Sequence, residues 1–295
     1  MSAYVGRFAP SPTGPLHMGS LICAVASYLD AKAQQGQWLL RIEDIDPPRE
    51  IDGASESFLR DLQQHGLQWD GDVMWQSQRA PQYEQALQRL CDTAKVYACD
   101  CSRQSLREFG SVYPGVCRER GLPDSRGFAL RIAVDEHPLR FDDLIQGQQE
   151  QRLDQEVGDF IIRRKDRLYA YQLAVAVDDA AQGITHVLRG SDLLDSTGRQ
   201  LYLQQLLGYP SPTYAHIPVL LNASGSKYSK QTFAASVGGD DARDNLLAAL
   251  RFLEQPMPPT ALGQRVGGIL DWACEHWQIQ RVPASLAVSD AVLST

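Results

Sequence analysis

Residues 3–42 read AYVGRFAPSPTGPLHMGSLICAVASYLDAKAQQGQWLLRI, and their punctuation decides the fold. Ala3 to Phe8 is short and β-like. APSPTGP then interrupts regular structure, since proline removes backbone donors and glycine loosens the chain. From His17 to Gln35 the apolar residues Leu21, Ala24, Val25, Tyr28 and Leu29 recur at helical spacing. Gly36 stands where a helix would stop. Trp38 to Ile42 is a compact apolar run that reads as a buried strand. Strand, breaker, helix, strand is a βαβ unit. It predicts a parallel α/β sheet with ligands at the carboxyl ends of its strands.

Working outward, helical patterns follow at about Glu50 to His65 and Arg79 to Lys95. Between Val96 and Val134 the character changes. Three of the chain's six cysteines lie there among four glycines and two prolines, as expected of an insertion with its own small core. From Asp159 the α/β rhythm returns in FIIRR, AYQLAVAVDD and ITHVLRG. A helical stretch runs from Ser196 to Leu207, and YAHIPVLL reads as another buried strand. After Ser236 the pattern is helical to the end, broken at QPMPP. The expected division is a first catalytic half over 1–95, an insertion over 96–134, a second catalytic half over 135–236 and a small helical domain over 237–295.

The chain has 295 residues, 43% hydrophobic and 22% charged, which is the balance of a globular protein. No stretch approaches the roughly 20 apolar residues of a membrane span, and the N-terminus has no signal-peptide pattern. A cytoplasmic location and no membrane partner are expected. The formal charge of −8 argues against a non-specific nucleic-acid coat but allows a local basic patch. RRKDR at 163–167 and CRER at 117–120 are candidates for one; solvated charged strand ends read equally well.

Two loops carry candidate chemistry. In APSPTGPLHMGS, His17 and Gly19 sit where a loop enters a helix. The free N–H groups and dipole of a helix N-terminus suit a phosphate there, and Gly19 lets a planar ring approach the backbone. In ASGSKYSKQT, Lys227 and Lys230 can neutralise a triphosphate as pyrophosphate leaves. Either loop alone reads equally as a solvated turn.

Together they resemble the HIGH and KMSKS motifs of class I aminoacyl-tRNA synthetases. GRFAPSPTGPLHMGSL, LLRIEDIDPPR and YQLAVAVDDAAQGITHVLRGSDLLDST are similar to the catalytic domain of glutamyl-tRNA synthetases, from about Tyr4 to Phe233. The resemblance implies a Rossmann-like sheet. It also implies a glutamate site of Arg7, Phe8, Ala9, Pro10, Ser11, Glu43, Tyr171 and Arg189, and an ATP site of His17, Gly19, Lys227 and Lys230. His17, Lys227 and Lys230 are the catalytic set. The chemistry agrees: a guanidinium forks onto a carboxylate, and Glu43 can pair with the α-ammonium. Three departures stand out. Tyr228 and Gln231 replace the usual residues of the second motif, and Val175 stands where the family tends to have Asn beside the substrate.

The length leaves no room for the family's large anticodon-binding domain. The match is therefore to a truncated branch that attaches glutamate to queuosine, the modified wobble base of tRNA(Asp). The expected activity is ATP-dependent activation of L-glutamate without tRNA, with Mg²⁺ on the phosphates, then transfer to that base by a monomer. The alternatives are a short glutamyl-tRNA synthetase charging the 3′ end of tRNA(Glu), a small-molecule adenylyltransferase and a non-catalytic tRNA-binding module. In the insertion, Cys99, Cys101 and Cys117 are one ligand short of a tetrahedral zinc set. Spacing alone leaves metal ligands and ordinary cysteines both open. The truncated branch uses Cys, Cys, Tyr and Cys here, which implies one structural Zn²⁺ on Cys99, Cys101, Tyr113 and Cys117. Cys23, Cys91 and Cys274 lie in helical patterns and are expected to be buried.

Overall fold

The computed structural model describes residues 3–222, 225–226 and 237–293. β1 (Val5–Phe8) leads through the proline-rich loop into α1 (Met18–Ala33), and β2 (Gln37–Ile42) returns parallel to β1 with Arg7 opposite Leu39. α2 (Ala54–Gln64) precedes β3 (Met74–Trp75), which runs parallel to β2. α3 (Ala80–Cys91) leads into β4 (Val96–Cys99), α4 (Arg103–Glu108) and β5 (Ala129–Ile132). A hairpin of β6 (Leu139–Asp143) and β7 (Gly147–Gln151) follows, then α5 (Leu153–Glu156) and β8 (Phe160–Arg163). Next come α6 (Tyr171–Ala181), β9 (His186–Gly190), α7 (Ser196–Leu207) and β10 (Thr213–Ile217). β11 (Val219–Leu221), α8 (Ala242–Phe252), α9 (Val266–His276) and β12 (Ala287–Ser289) complete the described chain.

Two half-sheets, β3-β2-β1 and β9-β10-β6-β7, meet edge to edge. Thr185 joins them: its N–H donates to the Val5 carbonyl (2.9 Å) and its hydroxyl accepts from the Val5 N–H (2.8 Å). The carboxyl ends of β1 and β9 therefore lie side by side, the switch point where open α/β sheets bind ligands. β4, β5 and β8 form a separate antiparallel sheet under the cysteine segment.

α1 ends in a Schellman motif, with Gly36 N–H on the Ala31 carbonyl (2.9 Å) and Gln35 N–H on that of Lys32 (2.9 Å). The left-handed residue is Gln35 (φ 54°), not Gly36. Gly36 is needed for another reason: a Cβ there would lie 2.5 Å from the Tyr4 carbonyl. α1 also buries more than the predicted stripe. Ile22 and Ala26 are covered too, because α8 and α9 pack on the helix and share one core with it through Leu246, Leu250 and Ile269. YAHIPVLL is two strands. Pro218 has no N–H for a ladder; β10 stays in the main sheet and β11 turns to pair with β12. β12 lies in the segment whose pattern reads as helical. The β6–β7 hairpin escapes the sequence pattern because its polar run RFDDLIQGQQEQ buries little apolar surface.

Candidate active site and cysteine cluster

A cleft of about 500 Å³ opens at the switch point. Arg7, Phe8, Ala9, Pro10 and Ser11 line it from the end of β1, Glu43 from just beyond β2, Tyr171 from the start of α6 and Arg189 from β9. His17 and Gly19 line it from the first turn of α1. Every expected glutamate residue, and both expected ATP residues in the first loop, are thus brought to one cavity. Lys227 and Lys230, with Tyr228 and Gln231, lie outside the described residues. On either side of that segment the chain returns to the cleft: Leu220 lines it, and the Val237 N–H donates to the Leu16 carbonyl (3.0 Å), beside His17.

His17 caps α1. Its Nδ1 accepts from the Ser20 N–H (3.2 Å), so the proton of the neutral ring sits on Nε2, 3.1 Å from Ser20 Oγ. Gly19 has no positive φ to demand glycine. A Cβ there would stand 3.4 Å from the His17 ring and narrow the cleft. Cys23 also lines the cleft, and burial pushes its thiol up to about 11. Cys91, expected to be buried, is exposed.

Behind the cleft is a buried charge network. Asp179 Oδ1 accepts from Arg7 Nε (3.2 Å) and Arg41 Nη1 (2.8 Å), and Arg41 Nη2 reaches Glu43 Oε1 (3.3 Å). All four side chains are at most 7% exposed. Burial raises the Asp179 carboxyl, but Arg7 and Arg41 outweigh it and hold the group below the usual range. For Glu43 burial wins over Arg41 and Arg7, and its pKa is raised. The neighbouring Asp178 faces the other way and takes Gln76 Nε2 (2.8 Å), Arg79 and the Tyr83 hydroxyl (2.6 Å). Burial pushes the Tyr171 phenol up to about 12, and the charge of Glu43 adds to the shift. Val175 is buried one turn after Tyr171 and is not among the residues lining the cleft.

Arg189 is held from behind. Nε donates to His216 Nε2 (3.0 Å), Nη1 to Gln200 Oε1 (2.8 Å), and Nη2 to Thr197 Oγ1 (2.9 Å) and the Leu193 carbonyl (3.3 Å). A guanidinium only donates, so His216 Nε2 must accept and its proton must sit on Nδ1, 2.6 Å from Asp143 Oδ2. His216 is therefore neutral, and burial keeps its pKa below the ordinary 6.5. The Asp143 carboxylate sits one ring away from Arg189, so it orients the guanidinium without neutralising it. Among the described residues, four of the five N–H groups have protein partners and one on Nη1 has none.

Sequence reasoning left Arg41, Asp179, Asp143, Gln200 and His216 without roles. A usable signal exists for three of them. Arg41 in WLLRI, Asp179 in LAVAVDD and His216 in YAHIPVLL are ionisable residues inside apolar runs, and buried charges must be paired.

In the insertion, Cys99, Cys101 and Cys117 have sulfurs within 4.8 Å of one another. Cys101 Sγ is 3.5 Å from Cys117 Sγ, and the Tyr113 hydroxyl is 3.5 and 3.6 Å from Cys99 and Cys101. Zn–S bonds of about 2.3 Å place tetrahedral sulfurs roughly 3.8 Å apart, so these donors converge at the spacing a metal ion requires. Burial raises the Cys99 thiol, but hydrogen bonds from Tyr113 and Arg131 bring it down to about 7. Arg131 stacks on the Tyr113 ring, 3.8 Å from its centroid.

The two basic runs are internally paired. Arg163 meets Asp124 and Glu84, Arg164 meets Asp46 (2.9 Å) and Asp166 (2.6 Å), and Arg167 meets Asp124 (2.6 Å). Arg118 pairs with Asp159 and Arg120 with Asp100 (2.6 Å). Lys165 donates to the Asp100 carbonyl.

The family model for class I tRNA synthetases (E and Q), catalytic domain, matches residues 4–112 and 118–255, leaving out the short segment that holds Tyr113 and Cys117. A glutamyl-Q tRNA(Asp) synthetase of Ectopseudomonas mendocina is 48% identical over 292 residues, 99% of either chain. One from Pseudomonas fluorescens is 49% identical over 293 residues, 99% of this chain and 98% of the relative. Among solved structures, a glutamate tRNA ligase from Elizabethkingia meningosepticum in complex with its amino acid superposes with a TM-score of 0.81 at 22% identity, over 99% of this chain and 68% of that one. Glutamate-tRNA synthetase from Elizabethkingia anophelis gives 0.82 at 22% identity, over 99% and 69%. Both share the fold.

Proposed function

The chain belongs to the class I tRNA synthetases for E and Q, among the glutamyl-Q tRNA(Asp) synthetases, and from that premise we propose that it activates L-glutamate with ATP and transfers it to the queuosine base of tRNA(Asp). The observation that carries this reading is the convergence of Arg7, Ser11, Glu43, Tyr171 and Arg189 with His17 and Gly19 in one cleft. Glutamate brings two carboxylates and one ammonium. Arg7 and Arg189 are the cations for the carboxylates, and Glu43 is the anion for the ammonium. Phe8, Ala9 and Pro10 supply the wall that holds the carbon chain.

In the first step the α-carboxylate oxygen attacks the α-phosphorus of ATP. The P–O bond to the β-phosphate breaks, and pyrophosphate leaves with the electron pair. His17 donates to the phosphates from Nε2, and Lys227 and Lys230 supply positive charge there. In the second step an acceptor hydroxyl attacks the activated carbonyl. The new ester C–O bond forms, AMP leaves, and the hydroxyl proton is released to solvent. With so good a leaving group, rate comes mostly from positioning. Mg²⁺ enters with ATP as part of the substrate.

Zn²⁺ on Cys99, Cys101, Tyr113 and Cys117 would cross-link the insertion. Cys99, Tyr113 and Cys117 form, among the described residues, a small buried cluster apart from the larger cores. Among the described residues no helix is long and apolar enough to cross a membrane, and a tRNA substrate supports a cytoplasmic location.

The test is glutamate-dependent ATP–pyrophosphate exchange with and without tRNA, followed by loading of labelled glutamate. Exchange without tRNA, and loading only of tRNA(Asp) that carries queuosine, is the expected result. Exchange that requires tRNA(Glu) would favour the short conventional synthetase. No exchange with glutamate would sink the reading.

A further inference from the structure

A second cavity, of about 280 Å³, shares a wall with the cleft: Ser11, Thr13, Glu43 and Tyr171 line both. Its far side is the EDIDPPRE loop, with Asp46 and Glu50, and the turn before α6, with Arg164 and Tyr169. The first loop is stitched to the proline-rich loop by Glu43 N–H on the Pro10 carbonyl and Ile51 N–H on that of Pro12, both 2.9 Å. The two cavities are therefore held in fixed relation. A group in the second one stands directly beyond the side chains that face glutamate.

The charges inside are unevenly matched. Asp46 takes both Arg49 and Arg164, and Arg164 also takes Asp166. Tyr169 is fixed by its hydroxyl on Glu84 (2.6 Å) and by its ring against Tyr83, 5.3 Å between centroids. Glu50 takes a hydrogen bond from the Asp46 backbone, but its Oε1 is buried and has no partner among the described residues. Burial and the nearby Asp44 and Asp46 push its carboxyl up. A buried acceptor atom without a donor is disfavoured, so such an atom points to a donor that arrives with a ligand.

Resting on the queuosine reading above, we propose that this second cavity is the acceptor-base subsite, in which Glu50 Oε1 accepts from the cationic secondary amine of the base and Tyr169 flanks its ring. Queuosine carries a cyclopentenediol on a secondary amine that is protonated at neutral pH, joined to a flat deazaguanine. Cation, ring and hydroxyls match carboxylate, aromatic wall and the border that the cavity shares with the glutamate cleft at Glu43 and Tyr171. A terminal adenosine has no such cation. The subsite would thus select the modified base over a tRNA 3′ end.

The experiment measures exchange and transfer separately, in wild type and in Glu50→Gln and Tyr169→Leu, with tRNA(Asp) carrying queuosine and the same tRNA carrying guanosine. Transfer is expected to fall at least about tenfold more than exchange in Glu50→Gln, equal to about 1.4 kcal/mol, with a smaller fall in Tyr169→Leu. Equal transfer by wild type and Glu50→Gln would overturn the subsite. So would a parallel loss of exchange and transfer in both variants, since Glu50 would then act through the glutamate cleft. Wild type that exchanges with glutamate yet loads neither tRNA would instead overturn the queuosine reading itself.

Discussion

The cleft and the cysteine insertion solve the same problem in different ways. Each must hold polar groups in fixed positions. The cleft does so with a charge network set in a large core: Arg7, Arg41, Glu43 and Asp179 are buried between β1, β2 and α6. The insertion packs Ala98, Leu130, Ile132 and Val134 into a neighbouring core and gathers Cys99, Tyr113 and Cys117 in a small cluster whose donors converge on one point. The cleft is therefore preformed by packing, while the insertion gathers three thiols at a spacing that suits a metal ion. Damage to one should leave a different signature from damage to the other.

The largest effect is expected from Arg41→Met. It removes the cation paired with Glu43 and leaves Asp179 with Arg7 alone, in a site where Arg41 is fully buried, and breaking a buried pair in this way costs about 3–5 kcal/mol. Denaturant unfolding would show it; a loss below about 1 kcal/mol would mean that the network is not what stabilises the cleft. Next is Cys117→Ser, which should abolish the retained metal, normally about one ion per chain in a structural site, and expose Cys99 and Cys101 to thiol reagents. Glutamate–ATP exchange should largely persist. Loss of exchange in proportion to lost metal would erase the contrast between the two regions.

A subtler effect concerns Arg189. His216→Leu removes the acceptor of its Nε and should raise the KM for glutamate about tenfold, worth about 1.4 kcal/mol. His216→Gln, which restores an acceptor, should recover most of that. A Gln variant as impaired as Leu would refute the orienting role. The same histidine predicts a pH dependence. Its folded pKa lies below 6.5, so below that pH the unfolded chain takes up a proton that the folded chain refuses. Stability should fall as pH drops from 6.5 toward the folded value, by at most about 1.4 kcal/mol per unit from this group. Unfolding of His216→Gln across this range should show a shallower slope. The smallest effect is Gly19→Ala. Alanine favours the helix by about 1 kcal/mol, so stability should hold while the KM for ATP rises a few-fold through the methyl beside His17. An unchanged KM would remove Gly19 from the nucleotide site.

Much of this molecule is legible in its sequence, for reasons specific to each segment. The first βαβ unit is readable because strand, breaker and helix have different periods within forty residues. The three cysteines and Tyr113 are readable as a set only through family resemblance, because residues up to 18 apart carry no angular information. The charge network was missed because Arg41 and Asp179 are 138 residues apart. The β6–β7 hairpin was missed because it has almost no apolar face, and the β10–β11 break because Pro218 sits inside a continuous apolar run.

The sequence by itself determined the βαβ opening, the residue types at the cleft and the chemistry they allow, because these depend on local period and on side-chain identity. The tertiary structure alone decided which charges neutralise each other, why Arg189 keeps its charge for a ligand, that α1 is buried on two faces, and that a second cavity opens behind Glu43 and Tyr171. Those outcomes depend on distances between segments far apart in the chain. Such distances are set by packing of the whole core, and no local pattern encodes them.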